Sequence, residues 1–182
     1  MIVVSAFSMQ TRIVLSLTVL SALIVVGVTL YSPSFSLLSP SPTSAPDELS
    51  YDRTQVDILN ETTATTLASV DVRIADTDQK RYTGLSNTDS LPPDSGMLFV
   101  HSQPGSYQYV MRNMSFPIDI VFVNADGTVT QIHHAPVPPA NESSPRYEGR
   151  GQYVLELSYR YTDSHNISVG DEVKIPASVQ AE

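Results

Sequence analysis

The chain has 182 residues, 41% apolar and 16% charged, with 19 acidic against 10 basic side chains and a net charge of −9. That length holds one compact domain plus terminal segments, and the sign of the charge repels phosphate backbones, so nucleic acid is not an expected partner. The absence of cysteine excludes disulfides, thiolate nucleophiles, Cys-ligated zinc, iron–sulfur centres and cysteine-linked lipid anchors.

Residues 13–30 run for eighteen positions without a charge, interrupted only by Ser, Thr and one Gly. The run is long enough to cross a bilayer and longer than the apolar core of a secretory signal. The nearest small-x-small site, Thr43-Ser44-Ala45, is followed by Pro46 and lies far from the run. The expectation is therefore an uncleaved anchor over 13–31, with a secreted form after signal cleavage as the alternative. Arg12 precedes the span and Asp47 is the first charge after it, which places residues 1–12 in the cytoplasm and the remainder outside. Met9 is an alternative start that leaves the same span. Residues 32–50 form a stalk, with Pro33, Pro40, Pro42 and Pro46 blocking both helix and ladder pairing.

Residues 51–182 make the extracytoplasmic domain; together with the stalk, the exported part after Arg12 has nine basic and 19 acidic residues and a charge of −10. Lys80 and Lys174 are its two lysines and Asp dominates its acids, a balance compatible with a halophile. Four N-x-S/T sequons begin at Asn60, Asn113, Asn141 and Asn166; Asn60 and Asn141, in polar segments, are the candidate glycosylation sites.

Alternation of Val70, Val72 and Ile74 with polar neighbours predicts the first strand of this domain. Thr77 can cap a short helix over 78–83, and Gly84 can accept its left-handed exit. Strands are expected at 97–101, 107–112, 118–123, 128–133 and 152–158, with Asn124-Ala125-Asp126-Gly127 closing a hairpin. A last pair flanks Gly170-Asp171, and the Pro-rich passage 135–150 is a surface loop that could act as a lid. Short strands at regular spacing with one helical turn predict an all-β sandwich or partly open barrel.

The blocks Asp76, Arg81, Gly84-Leu85, Gly96-Met97-Leu98-Phe99, Tyr109-Val110-Met111-Arg112-Asn113, Pro117-Ile118-Asp119-Ile120, Phe122, Asp126-Gly127, Val154-Leu155-Glu156-Leu157 and Gly170-Asp171 arrive in an order that resembles the domain of unknown function 192 family. The resemblance covers residues 70–175. It implies a small exported or membrane-tethered all-β domain with no activity attached, and makes Arg81, Met97, Tyr109, Met111, Arg112, Asn113 and Asp119 the candidate ligand-binding residues. Ser86, Val110 and Met114 stand where the family pattern has Met, Trp and Thr, which implies an altered site.

For chemistry, Asp119 on the apolar strand 118–123 needs a partner, and Arg112 across the turn 113–117 is the expected one. Asp119 with Glu156 is the alternative, a carboxylate pair for hydrolysis, with Glu156 otherwise read as an exposed charge on a half-solvated strand. His133 and His134 are adjacent and point to opposite faces of a strand, and Met97, His101, Met111 and Met114 do not converge at straight-strand spacings, so no metal and no cofactor are expected. Tyr107 and Tyr109 offer rings for stacking. The reading is a membrane-anchored binding or envelope-interaction module rather than an enzyme, for an uncharged or cationic ligand, small or an envelope polymer, such as a carbohydrate, which the −10 field and the tyrosines favour, or for an envelope protein; the alternatives are a hydrolase using Asp119 and Glu156 and a purely structural envelope protein.

Overall fold

The structure, a computed structural model, describes residues 49–179. The expected anchor at 13–31 and most of the stalk lie outside the described residues, and among those described no helix is long and apolar enough to cross a membrane.

Seven strands form one sheet in the order β5-β4-β6-β3-β2-β1-β7. They are β1 (Arg53–Leu59), β2 (Thr66–Ala75), β3 (Ser95–Tyr109), β4 (Ile118–Val123), β5 (Val129–Ala135), β6 (Tyr147–Ser158) and β7 (Glu172–Lys174), joined by two short helices, α1 (Asp78–Thr83) and α2 (Tyr161–Ser164). Every pairing is antiparallel except β2 with β3, whose connection contains α1. The two outer strands meet at one end, where Thr128 bridges Glu172 and the amides of Val129 and Val173 donate to the carbonyls of Asp171 and Gly127. The sheet is thus a barrel closed along a short seam and open along the rest.

Strand alternation divides the core in two. Val56, Ile58, Val70, Val72, Ile74, Leu98, Val100, Val121, Val123, Tyr153, Leu155 and Leu157 fill the inner face, joined across the seam by Val129 and Val173. Met97, Phe99, Ile118, Ile120, Phe122 and Val154 face outward and are covered by Leu85, Met111, Met114 and Phe116 from the connections on either side of β3. β4 is buried at every position and lies between β5 and β6, the central place its apolar sequence predicts.

Local chemistry places α1 where expected. Thr77 accepts from the Lys80 amide at its start and Gly84 leaves it at φ 50°. Other boundaries move. The strands expected at 97–101 and 107–112 are one strand, β3, bulged between Val100 and Gly105, where five steps on β3 oppose two on β6. Pro104, which has no amide to donate, sits in that bulge. β6 begins at Tyr147, so the Pro-rich loop is shorter than its composition implies. Residues 167–169 form no strand, leaving β7 as the one strand flanking Gly170-Asp171. β1 and α2 are additional elements.

Candidate functional site

The outer face carries a row of side chains set by register. Arg53 pairs with Arg73, Arg73 with Met97, Met97 with Glu156, Glu156 with Ile120 and Ile120 with His133. Glu156 is therefore a carboxyl between two apolar neighbours on a sheet that α1 and the 110–117 segment cover. It is not the exposed charge that its half-polar strand suggests, since only 6% of its surface is accessible. Burial pushes its pKa up to about 8 against a smaller opposing pull from Arg73, so at neutral pH the group is a neutral acid that can donate.

Arg81 fixes α1 beside this carboxyl. Its Nη1 donates to the carbonyls of Asp76 and Val100, both at 2.6 Å, and its Nη2 to Asp78 Oδ1 at 2.6 Å. Gly84 follows, and a Cβ there would meet the Phe99 ring at 3.2 Å, so the turn settles directly on the core. The 110–114 segment is clasped to α1 from the other side: Ser86 Oγ donates to the Arg112 carbonyl at 3.0 Å, Arg112 Nη2 donates to the Tyr82 carbonyl, and the Arg112 guanidinium lies 3.8 Å from the Tyr82 ring centroid.

Between these clasps lies a cavity of about 500 Å³. Its apolar lining includes Leu85, Phe99, Met111 and Ile118, and Glu156 opens into it. One wall is aromatic. His101 stacks on Tyr107 with centroids 3.5 Å apart, His101 Nε2 and the Tyr109 hydroxyl are hydrogen-bonded at 3.0 Å, and Tyr109 meets Phe99 edge-on at 5.1 Å. Burial, with help from Arg81, lowers the His101 pKa to about 4 and keeps the ring neutral. Burial raises the Tyr109 hydroxyl, and Glu156 adds to that, so it stays protonated. The Pro-rich loop reaches the same region: Ser144 Oγ accepts from the Met111 amide at 2.8 Å and Arg146 Nη1 donates to Gln108 at 3.0 Å.

Of the predicted ligand-binding residues, Arg81, Tyr109, Met111 and Arg112 line the cavity, together with Glu156. Met97 is fully buried beside Glu156, and Asn113 is exposed in a left-handed turn at φ 54°. Asp119 belongs elsewhere. It pairs with Leu157 while Ile120 pairs with Glu156, so Asp119 and Glu156 project from opposite faces and cannot form a carboxylate pair for hydrolysis. The expected Asp119–Arg112 ion pair is also absent. Arg112 is engaged by Tyr82, and Asp119, with no accessible surface, accepts from the Arg160 and Thr162 amides at 2.9 Å, Thr162 Oγ1 at 2.7 Å and His134 Nδ1 at 2.7 Å. His134 therefore faces inward and its neighbour His133 outward, where Nε2 bonds the Glu148 carbonyl at 2.8 Å. Among the described residues no three His, Asp or Glu side chains gather as metal ligands.

His101, weighed in the sequence only as a metal ligand, and Tyr82, not singled out there, both line the cavity. The signal for His101 is the two-residue spacing of Phe99 with His101 and of Tyr107 with Tyr109, interrupted by the bulge. Neither candidate glycosylation site lines the cavity: Asn141 is in the exposed loop, and Asn60 accepts from the Thr62 and Thr63 amides at the turn after β1.

The model of the family described as "Uncharacterized ACR", domain of unknown function 192, matches residues 59–175. A candidate transcription regulator from Sinorhizobium meliloti 1021 has a similar crystal structure, 28% identical with a TM-score of 0.64 over 70% of this chain and 97% of that one. A protein of unknown function from Novosphingobium aromaticivorans DSM 12444 is 26% identical with a TM-score of 0.60 over 74% of this chain and 90% of that one. Among curated proteins none matches.

Proposed function

The chain belongs to the uncharacterised domain of unknown function 192 family, and from that premise we propose that it is a binding module whose ligand is a small saccharide, held in the cavity between α1, β3 and the 110–114 segment. The observation that carries this reading is a buried, neutral Glu156 carboxyl opening into a cavity with an aromatic wall. A volume of about 500 Å³ lies within the roughly 300–1,000 Å³ of pockets that take small molecules. Sugar rings present an apolar face to aromatic side chains and polar edges to planar donors. Here Tyr107 and His101 supply the first, and Arg81, Gln108 and Glu156 the second.

Regulation of transcription, the description given to the Sinorhizobium protein, is not carried over, because a chain at −9 opposes contact with nucleic acid. The eighteen-residue uncharged run supports tethering by 13–31 with the β domain outside the membrane, where the ligand would be an envelope saccharide and where Asn60 and Asn141 could be glycosylated.

The test is a thermal-shift screen of the full chain in detergent micelles against neutral and acidic mono- and oligosaccharides, since a ligand of the native state raises its melting temperature. At least one sugar is expected to raise it, and Tyr107→Ala to abolish that rise while the unliganded protein still melts cooperatively. A screen with no shift at millimolar sugar removes the carbohydrate reading.

A further inference from the structure

Arg112 is a cation without an acid. It takes part in no ion pair among the described residues, whereas Lys80, Arg81, Arg160 and Lys174 each have an aspartate or glutamate. Its Nη2 is held by the Tyr82 carbonyl and its plane by the Tyr82 ring, which orients the guanidinium, and its other nitrogens have no hydrogen-bond partner among the described residues. Asp78, the other acid of the lining, is already bound to Arg81. The cavity is therefore a locally positive place on a molecule of net charge −9, which concentrates attraction for an anion there and nowhere else along its lining.

Glu156 is incomplete in a complementary way. Its residue is 6% exposed and lines the cavity, and no hydrogen bond from the described residues holds its carboxyl. Since no fully buried side-chain oxygen among the described residues lacks a partner, the carboxyl is reached from the cavity and can donate to a ligand there. Facing it are Arg73 from β2 and Tyr109 from β3, with Met97 and Ile120 as its direct cross-strand neighbours; Arg81, His101 and Arg112 are the remaining titratable groups around the cavity besides Asp78, Tyr82 and Tyr107.

We propose that the ligand of this cavity is an acidic saccharide, a sugar ring bearing a carboxylate, with the carboxylate taken by the free fork of Arg112 and a ring hydroxyl or ring oxygen accepting from Glu156. The inference rests on the carbohydrate reading above and adds the charge of the ligand to it. Arginine is the fitting residue because its planar donors match both carboxylate oxygens, which a lysine in the same place would not do. A neutral acid beneath the ring can donate without repelling the anion.

The probes are D-glucuronate, D-glucose and glucose 6-phosphate, titrated into the full chain in micelles and followed by ligand-observed NMR. At pH 6.5 glucuronate is expected to bind at least ten-fold more tightly than glucose. Arg112→Gln should abolish that preference, and Arg112→Lys should restore only part of it. As pH rises through about 8 Glu156 ionises and glucuronate affinity should fall, while Glu156→Gln flattens the profile. Equal binding of glucose and glucuronate, a preference that survives Arg112→Gln, or tight binding of glucose 6-phosphate alone would each overturn the acidic-saccharide inference and leave the carbohydrate reading standing. If none of the three binds, both fall. Cooperative melting of each variant within a few degrees of the parent shows that a loss of binding is not a loss of fold.

Discussion

Asp119 and Arg112 are seven positions apart in sequence and belong to different faces of the sheet. Asp119 joins the first turn of α2 to β4 and β5 by accepting from Arg160, Thr162 and His134. Asp119→Ala would strand those donors in a buried site and should destabilise the fold by about 3 to 5 kcal/mol in urea denaturation. Arg112→Ala removes a stacked ring contact and one carbonyl bond and should cost about 1 kcal/mol. The two share no partner, so the double mutant should be additive within about 0.5 kcal/mol. A coupling energy above 1 kcal/mol would contradict the placement of the two residues. The sequence could show that Asp119 needs a partner, because its strand is apolar throughout. It could not show which, because the answering amides come from 41 and 43 positions further along.

Elements whose determinants are local were legible, and those fixed by contact with distant chain were not. α1 carries its own start and stop in Thr77 and Gly84, and β4 announces its central place by having no polar face apart from Asp119. The start of β6 reads as loop because the passage 135–150 is Pro-rich, yet Gly149 and Gly151 lie in the ladder. A Cβ at Gly149 would sit 2.3 Å from the Phe122 ring, and one at Gly151 2.4 Å from the Val123 carbonyl oxygen. These glycines are required by β4 crossing closely over them, a fact that no local composition contains. The site was partly legible for the same reason: Arg81, Tyr109, Met111 and Arg112 sit in recognisable blocks, whereas Glu156 becomes buried only because α1 and the 110–117 segment fold over its strand. Gly151→Ala meets backbone that cannot swing aside and should destabilise by about 1 to 3 kcal/mol, read as a lowered urea midpoint at unchanged slope. An unchanged midpoint would mean that β6 and β4 are further apart than described.

At the scale of the molecule, the buried groups of the cavity give stability a particular pH dependence. Glu156 keeps its proton up to about pH 8 in the folded chain and releases it near 4.5 when unfolded, so its contribution falls as pH rises from about 4.5 to 8 and is level above that. His101 works in the opposite sense. Its folded pKa of about 4 lies below the unfolded 6.5, so stability rises across that interval, by an amount reduced because the ring is only half buried. The two slopes oppose one another from about pH 4.5 to 6.5. From 6.5 to 8 Glu156 acts alone and stability should decline by about 2 kcal/mol, a decline that Glu156→Gln should remove. Urea midpoints at pH 5, 6.5 and 8 measure this, and a parent profile that is flat above pH 6.5 would show that the carboxyl is solvated.

The seam also sets an order in time. β7 pairs with β1 through Leu59 and Glu172 and is bridged to the residue before β5 through Thr128 and Glu172, so the barrel cannot close until Glu172 has been made. At about 5–20 residues per second, the ribosome takes roughly 6 to 23 s to travel from Leu59 to Glu172. Throughout that interval the nascent β1 has one unpaired edge, and its inward residues Val56 and Ile58 lack the Val173 that later packs with them. Arg53 and Asp57, charged and set along the waiting strand, oppose its pairing with a neighbouring nascent chain until its own last strand arrives.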